Sequence, residues 1–253
     1  RFYPGGKFFQ YLRPLFENNN NISEIAVEGS ARELSLALRA CNKSLKSVRL
    51  GLSEIGDNEW EEIIGALSMH PQLIKLQLKG MRVGRNECAE LSNLLRSFTE
   101  LQELYLHEND IDDEGVDVLT STLTNSRLRV LYISSNHNIT ARGCQSLAAL
   151  LKHPNSNLER LDLRHNNIGN KGALVFANAL ASNRKLKILY LYNNGITAEG
   201  FSYFSQVLCD AASINKTFAS NHTLEDFGLG RRILPPSIEP FLELNRSSED
   251  KKH

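Results

Sequence analysis

Cysteine, methionine and tryptophan are scarce in this chain: four, two and one among 253 residues. Cys41, Cys88, Cys144 and Cys209 stand far apart, and no pair has the close C-x-x-C type spacing of a zinc site. A chain this long has no need of a disulfide framework. The four read as small buried hydrophobes on helices, which favours a reducing, intracellular compartment. An excess of one charge is also missing, because 29 Lys+Arg balance 29 Asp+Glu. Nucleic-acid binders carry a basic stripe, so no nucleic-acid partner is expected. No apolar run approaches the roughly 18 residues that span a bilayer, so no membrane insertion is expected. Nucleophile elbow, P-loop and HExxH motifs are absent. The chain begins at Arg1 rather than Met, so a fragment or a processed chain is expected.

Asparagine, in contrast, is abundant at 24 residues. Six N-x-S/T sequons fall at Asn21, Asn42, Asn138, Asn215, Asn221 and Asn245, where chance alone yields about three. That excess is too small to outweigh the missing signal peptide, and the compartment stays open.

The dominant feature is a repeat. One segment recurs as LKSVRLGLSEI at Leu45, LIKLQLKGMRV at Leu73, LQELYLHENDI at Leu101, LRVLYISSNHNI at Leu128, LERLDLRHNNI at Leu158 and LKILYLYNNGI at Leu186. Degenerate copies start at Ile22 and Leu224. Successive starts among the six differ by 28, 28, 27, 30 and 28 residues, a solenoid period. The L-x-x-L-x-L half alternates like a short strand with one buried face. The second half, as in IDDEGVDVLTSTL or ITARGCQSLAALL, repeats its apolar residues at helical spacing. Asp112, Thr140, Gly169 and Thr197 stand where the chain enters these helices, and all but the glycine are N-cap residue types. Gly115, Gly143, Gly172 and Gly200 form a column that eases packing; Glu59 and Glu87 replace it in earlier copies.

Asn109, Asn136, Asn166 and Asn194 fall where the chain leaves each strand. Backbone groups at that bend lack a sheet partner, and a short amide satisfies them, so a structural asparagine ladder is expected. It fails at Ser53, Met81 and Arg232. Parallel strands stack at about 4.8 Å and helices at roughly 10 Å, so the helix side must fan out.

The motif L-x-x-L-x-L-x-x-N-x-I-x-x-x-G with its trailing helix resembles the leucine-rich repeat family, ribonuclease-inhibitor type, from Ile22 to about Leu229. The resemblance implies an α/β right-handed curved solenoid, a horseshoe with parallel strands on the concave face and helices on the convex face. Members of this family include enzyme inhibitors, GTPase activators, ubiquitin-ligase adaptors and immune-receptor sensing domains, so fold alone does not name a function. The expected organisation is an N-terminal helical cap over residues 1–21, a solenoid of about eight units over 22–234, and a C-terminal cap with a frayed tail over 235–253. An insertion-like loop is expected at 211–223. Pro235, Pro236 and Pro240 interrupt the last unit, and Phe241 to Leu244 form a short docking helix, with Ser247 onward frayed.

Register assigns two rows of side chains to the hollow. One is Ala26, Arg49, Gln77, Tyr105, Tyr132, Asp162, Tyr190 and Gly228. The other is Glu28, Gly51, Lys79, His107, Ser134, Arg164, Tyr192 and Gly230. Four of the seven tyrosines lie there, and such aromatics anchor protein interfaces. The candidate partner-binding residues are therefore Arg49, Gln77, Lys79, Tyr105, His107, Tyr132, Asp162, Arg164, Tyr190 and Tyr192. Catalysis is not expected, since an open sheet offers no water-excluding pocket and only Ser134 lies near a histidine. No cofactor or metal is expected either. The acids of Asp110 to Glu114 mimic the start of a calcium loop, but Ser121 stands where its bidentate Glu belongs. These features point to a non-catalytic module that binds a protein partner through its concave surface. The alternatives are an accessory subunit of a multi-protein assembly or, by family analogy, a GTPase-activating regulator.

Overall fold

The computed structural model describes residues 22–41, 45–51, 59–208, 220–227 and 238–249. Apolar alternation produces seven strands: β1 Glu24–Glu28, β2 Ser47–Gly51, β3 Lys75–Lys79, β4 Glu103–Tyr105, β5 Val130–Tyr132, β6 Arg160–Asp162 and β7 Ile188–Tyr190. They form one parallel sheet in strict chain order. The helices that alternate with them are α1 Ala31–Ala40, α2 Glu59–Leu67, α3 Arg85–Leu95, α4 Asp113–Leu123, α5 Ala141–Lys152, α6 Gly169–Leu180 and α7 Ala198–Leu208, with α8 Glu239–Glu249 after them. Each helix from α1 to α7 packs on the next. Among the described residues the coils thus pack on their neighbours in the chain, as a solenoid requires.

The leucine columns close the core between sheet and helices. Leu73, Leu76, Leu78, Leu104, Leu106, Leu161, Leu163, Leu186 and Leu189 are all fully buried. Because helices are wider than the strand spacing, filling this wedge curves the stack with its strands inside.

Each strand ends in a sharp turn. The residue ahead of the ladder position is left-handed in five consecutive coils: Gly80 (φ 62°), Glu108 (58°), Ser135 (56°), His165 (57°) and Asn193 (55°). Non-glycine residues resist this region by about 1–2 kcal/mol. The asparagine that follows holds them there. Asn136 is fully buried; its Nδ2 donates to the carbonyls of Leu106, Ile133 and Ser134 (3.0, 3.0 and 3.2 Å), and its Oδ1 accepts from Ile111 N–H (3.0 Å). Asn166 Oδ1 accepts Asn136 N–H (2.7 Å) and Asn194 Oδ1 accepts Asn166 N–H (3.2 Å), which ties coil to coil. Met81 occupies a gap in this ladder, yet its N–H still donates to Asn109 Oδ1 of the next coil (2.8 Å).

Helix starts are linked across repeats as well. Asp112 caps α4 through Gly115 N–H (2.8 Å), and Thr140 caps α5 through Arg142 N–H (3.2 Å). Asp113 reaches forward instead: its carboxylate accepts from Thr140 N–H (2.7 Å), the Thr140 hydroxyl (2.6 Å) and Gly143 N–H (2.9 Å). Asn170 does the same for the next interval, taking Thr197 N–H at 2.9 Å and bonding the Thr197 hydroxyl. This arrangement gives the glycine column a stricter role than easing packing. A Cβ on Gly143 would lie 2.6 Å from Asp113 Oδ1, and one on Gly200 2.4 Å from Asn170 Oδ1.

At the C-terminal end α8 is eleven residues long, well beyond the four expected, and it includes Ser247. Pro240 sits in its first turn, where a missing N–H costs no helical bond. Leu242 is fully buried, and Asn245 Nδ2 donates to the carbonyls of Asn221 (3.2 Å) and Leu224 (2.7 Å), fastening the helix to the last coil. The expected cap over 1–21, residues 211–219 of the expected loop, and the positions Ser53, Gly228, Gly230, Arg232, Pro235 and Pro236 lie outside the described residues, as does the 250–253 end.

Candidate functional site

Strand register sets Ala26, Arg49, Gln77, Tyr105, Tyr132, Asp162 and Tyr190 directly opposite one another along the sheet. The second row begins with Glu28, Gly51 and Lys79. It continues past the strand ends through Gly80 N–H to His107 O, Glu108 N–H to Ser134 O, Ser135 N–H to Arg164 O and His165 N–H to Tyr192 O. A third row, two residues earlier on each strand, was not assigned from sequence: Glu24, Ser47, Lys75, Glu103, Val130, Arg160 and Ile188. Two residues separate the first two leucines of each repeat, so alternation alone does not say which of them faces the hollow. Counting back two from the first row finds it.

The tyrosines are braced. Tyr105 and Tyr132 meet edge to face with centroids 4.8 Å apart, a favoured aromatic geometry. Lys75 Nζ lies 4.8 Å from the Tyr105 centroid and 3.1 Å from the Glu103 carboxylate, which also accepts from the Tyr105 hydroxyl (2.8 Å). On the other side of Tyr132, Asp162 is completely buried and grips Arg164 with both oxygens (Nε 3.0 Å to Oδ1, Nη2 2.7 Å to Oδ2). Arg164 in turn lies 5.1 Å from the Tyr190 centroid. A buried carboxylate thus positions a guanidinium, and the guanidinium positions a ring. Tyr192 is exposed and meets His165 edge-on at 5.8 Å. Lys79 pairs with Glu108 (3.0 Å). At the N-terminal side Gln77 is half-buried, and Arg49 carries a buried Nε without a hydrogen-bond partner.

Protonation states follow from these surroundings. Burial, then the Glu103 carboxylate, holds the Tyr105 phenol above its ordinary range, and burial does the same for Tyr132 and Tyr190. Burial also lowers His107, with Glu108 and Lys79 acting in opposite directions on it. The face therefore presents neutral phenols and a fixed guanidinium at physiological pH.

The leucine-rich repeat family profile matches residues 99–119, 124–148, 155–177 and 182–205. Pig (Sus scrofa) ribonuclease inhibitor is 28% identical over 220 residues, covering 86% of this chain and 48% of that protein. The mouse (Mus musculus) ribonuclease inhibitor is 30% identical over 205 residues, 79% of this chain and 44% of that one. This chain is a leucine-rich repeat protein of ribonuclease-inhibitor-like type. Macaque (Macaca mulatta) NACHT, LRR and PYD domains-containing protein 3 is 28% identical over 200 residues, 78% of this chain and 19% of that protein. The chain spans less than half the length of the curated relatives it matches. Leucine-rich repeats mark it as a protein–protein interaction module.

As a leucine-rich repeat protein it uses the acids of its calcium-like stretch for repeat contacts. Asp112 and Asp113 cap helices, and Glu114 bridges Arg85 and Arg142 of the adjacent coils. Two sequons are also consumed by the fold. Asn221 is fully buried and Asn245 nearly so, with both amides bonded to main-chain carbonyls. Asn138 is exposed. No hydrogen bond joins Ser134 to His107. Burial raises the thiols of Cys41 to about 11 and of Cys88 and Cys144 to about 12, so these three stay protonated.

Proposed function

We propose that the protein is a non-catalytic binding module that captures a protein partner on its concave sheet, with Tyr105, Tyr132 and Tyr190 as anchors and Arg164 as the charged member of the patch. The observation that carries this reading is the bracing of those rings. Tyr105 and Tyr132 are in contact, and Tyr190 is stacked by an Arg164 that Asp162 fixes. Side chains already held in place lose little rotamer freedom on association, so their burial converts efficiently into affinity. Tyr and Arg in a half-buried central cluster match the residue types that dominate interface energetics.

Replacing Tyr132 and Tyr190 together by Ala is expected to weaken partner capture by about 2 kcal/mol or more, roughly thirtyfold. The core leucines lie on the other side of the sheet, so the melting temperature should stay within a few degrees of the parent. Pull-down from the native source followed by titration calorimetry measures the first, and calorimetric melting the second. Unchanged capture by the double variant would show that the concave face is not the binding surface.

A further inference from the structure

The chain as a whole is neutral, so a local excess of one charge is a product of the fold. Such an excess lies outside the tyrosine patch, at the edge where the strands begin. The turns leading into β5, β6 and β7 converge on a groove of about 540 Å³. Its charged lining is Arg127, Arg129, Arg184, Lys185, Lys187 and Glu159, five bases against one acid. Most of these residues flank the first leucine of their repeats: Arg127 and Arg129 around Leu128, Lys185 and Lys187 around Leu186. The repeat therefore stacks like-placed cations on neighbouring coils. The same columns hold Glu100 and Gln102 one coil earlier, so the basic stretch is not something the fold demands.

How these cations are held matters. Lys185 Nζ donates to the main-chain carbonyls of Pro154 (3.1 Å) and Ser156 and to Asn157 Oδ1, all neutral oxygens that fix the ammonium without cancelling its charge. Arg184 is steadied likewise by the carbonyls of Ala181 (3.0 Å) and Asn183 (2.9 Å). Arg127 pairs with Glu100 at 2.8 Å, but both side chains are well exposed. A surface pair of this kind contributes about 1 kcal/mol at most, so an incoming carboxylate displaces Glu100 at little cost. Beside the groove, Arg160 is exposed and enters no ion pair among the described residues. Its field reaches Glu159 on one side and Tyr132 and Tyr190 on the other, which joins the groove to the sheet face.

We propose that this strand-start groove binds an acidic segment of a protein partner. Prepositioned cations and an exchangeable surface pair match carboxylates arriving on a peptide. A polynucleotide fits less well, because no aromatic ring lines the groove for base stacking. The site is distinct from the tyrosine anchors, and the two readings fail independently.

The test is fluorescence anisotropy of a labelled hexaglutamate peptide titrated with the protein. Hexaglutamate should bind at low ionic strength and weaken with salt, and hexalysine should not bind. Arg127→Glu combined with Lys187→Glu should weaken binding about tenfold or more, and Lys185→Gln severalfold. Glu100→Gln should tighten it by removing the internal competitor, which keeps the proposal testable if a reversal variant folds poorly. Tyr132→Ala with Tyr190→Ala should leave hexaglutamate affinity unchanged while weakening concave-face capture. Equal affinity of the parent and the charge-reversed protein would overturn the proposal. So would equal or tighter binding of a DNA oligonucleotide of the same charge.

Discussion

A single asparagine decides whether each bend can be buried. Asn136 bonds three carbonyls that it shares with neighbouring donors, and it alone accepts from Ile111 N–H. Asn136→Ala leaves Ile111 N–H without a partner, while the carbonyls keep Asn109 Nδ2, Asn166 Nδ2 and Glu108 N–H, and one buried orphan costs about 1–3 kcal/mol. We expect a loss of about 2 kcal/mol in urea unfolding; a loss below about 0.5 kcal/mol would mean that water replaces the amide. His70 does a related job at the opposite end of the coil. Its Nε2 lies 2.9 Å from Leu38 O, its Nδ1 is buried without a partner, and the residue is 1% exposed. Burial lowers its pKa below 6.5, so the unfolded chain takes up this proton first on acidification. The stability it contributes is complete above about pH 6.5 and falls as pH drops toward the native value. Asn183 bonds Leu151 O from the matching position three residues ahead of its leucine. His70→Asn should therefore keep the bond and flatten the acid side of the stability profile. An unflattened urea-midpoint profile would assign the pH dependence elsewhere, His107 being next in line because burial lowers it too.

Between elements, the helix starts are coupled by Asp113. In sequence it reads as an acid in the first turn of α4, favoured there by the helix dipole. In the structure it holds the start of α5, accepting both Thr140 and Gly143. Only the lateral offset of one coil on the next brings it there, so its role was not legible from its own helix. Asp113→Ala should destabilise by about 2 kcal/mol through lost charge-assisted bonds. Gly143→Ala should cost less in the Asp113→Ala background, because the oxygen it would meet at 2.6 Å is gone. A double-mutant cycle with a coupling of about 1 kcal/mol or more is expected, whereas strict additivity would show that the close approach relaxes freely. The left-handed column was likewise hidden, since Glu108, Ser135 and His165 carry no turn signature.

For the whole molecule, stability is shared between coils rather than gathered in one centre. Coils in the middle of the stack bury both faces against neighbours, so opening them disrupts two interfaces. Amide exchange should therefore be slowest in the β4, β5 and β6 coils and faster toward β1, as read by hydrogen-exchange mass spectrometry. Uniform protection along the chain would indicate a single cooperative unit instead. The same one-dimensional order creates the long continuous surface on which the tyrosine patch and the basic groove both lie.

The repeat was legible because its cause is local. A leucine must return every 27–30 residues to refill the same core layer, and an asparagine must return to satisfy the same bend. The parallel sheet and the register that sets Tyr105 beside Tyr132 follow from counting along the chain. Contacts between coils were not legible in this way. The grip of Asp162 on Arg164, the placement of Arg164 against Tyr190 and the convergence of Arg127, Lys185 and Lys187 on one groove depend on side-chain direction and on the offset of stacked turns. Periodicity along the chain sets which residues share a face; packing across it decides which of them touch.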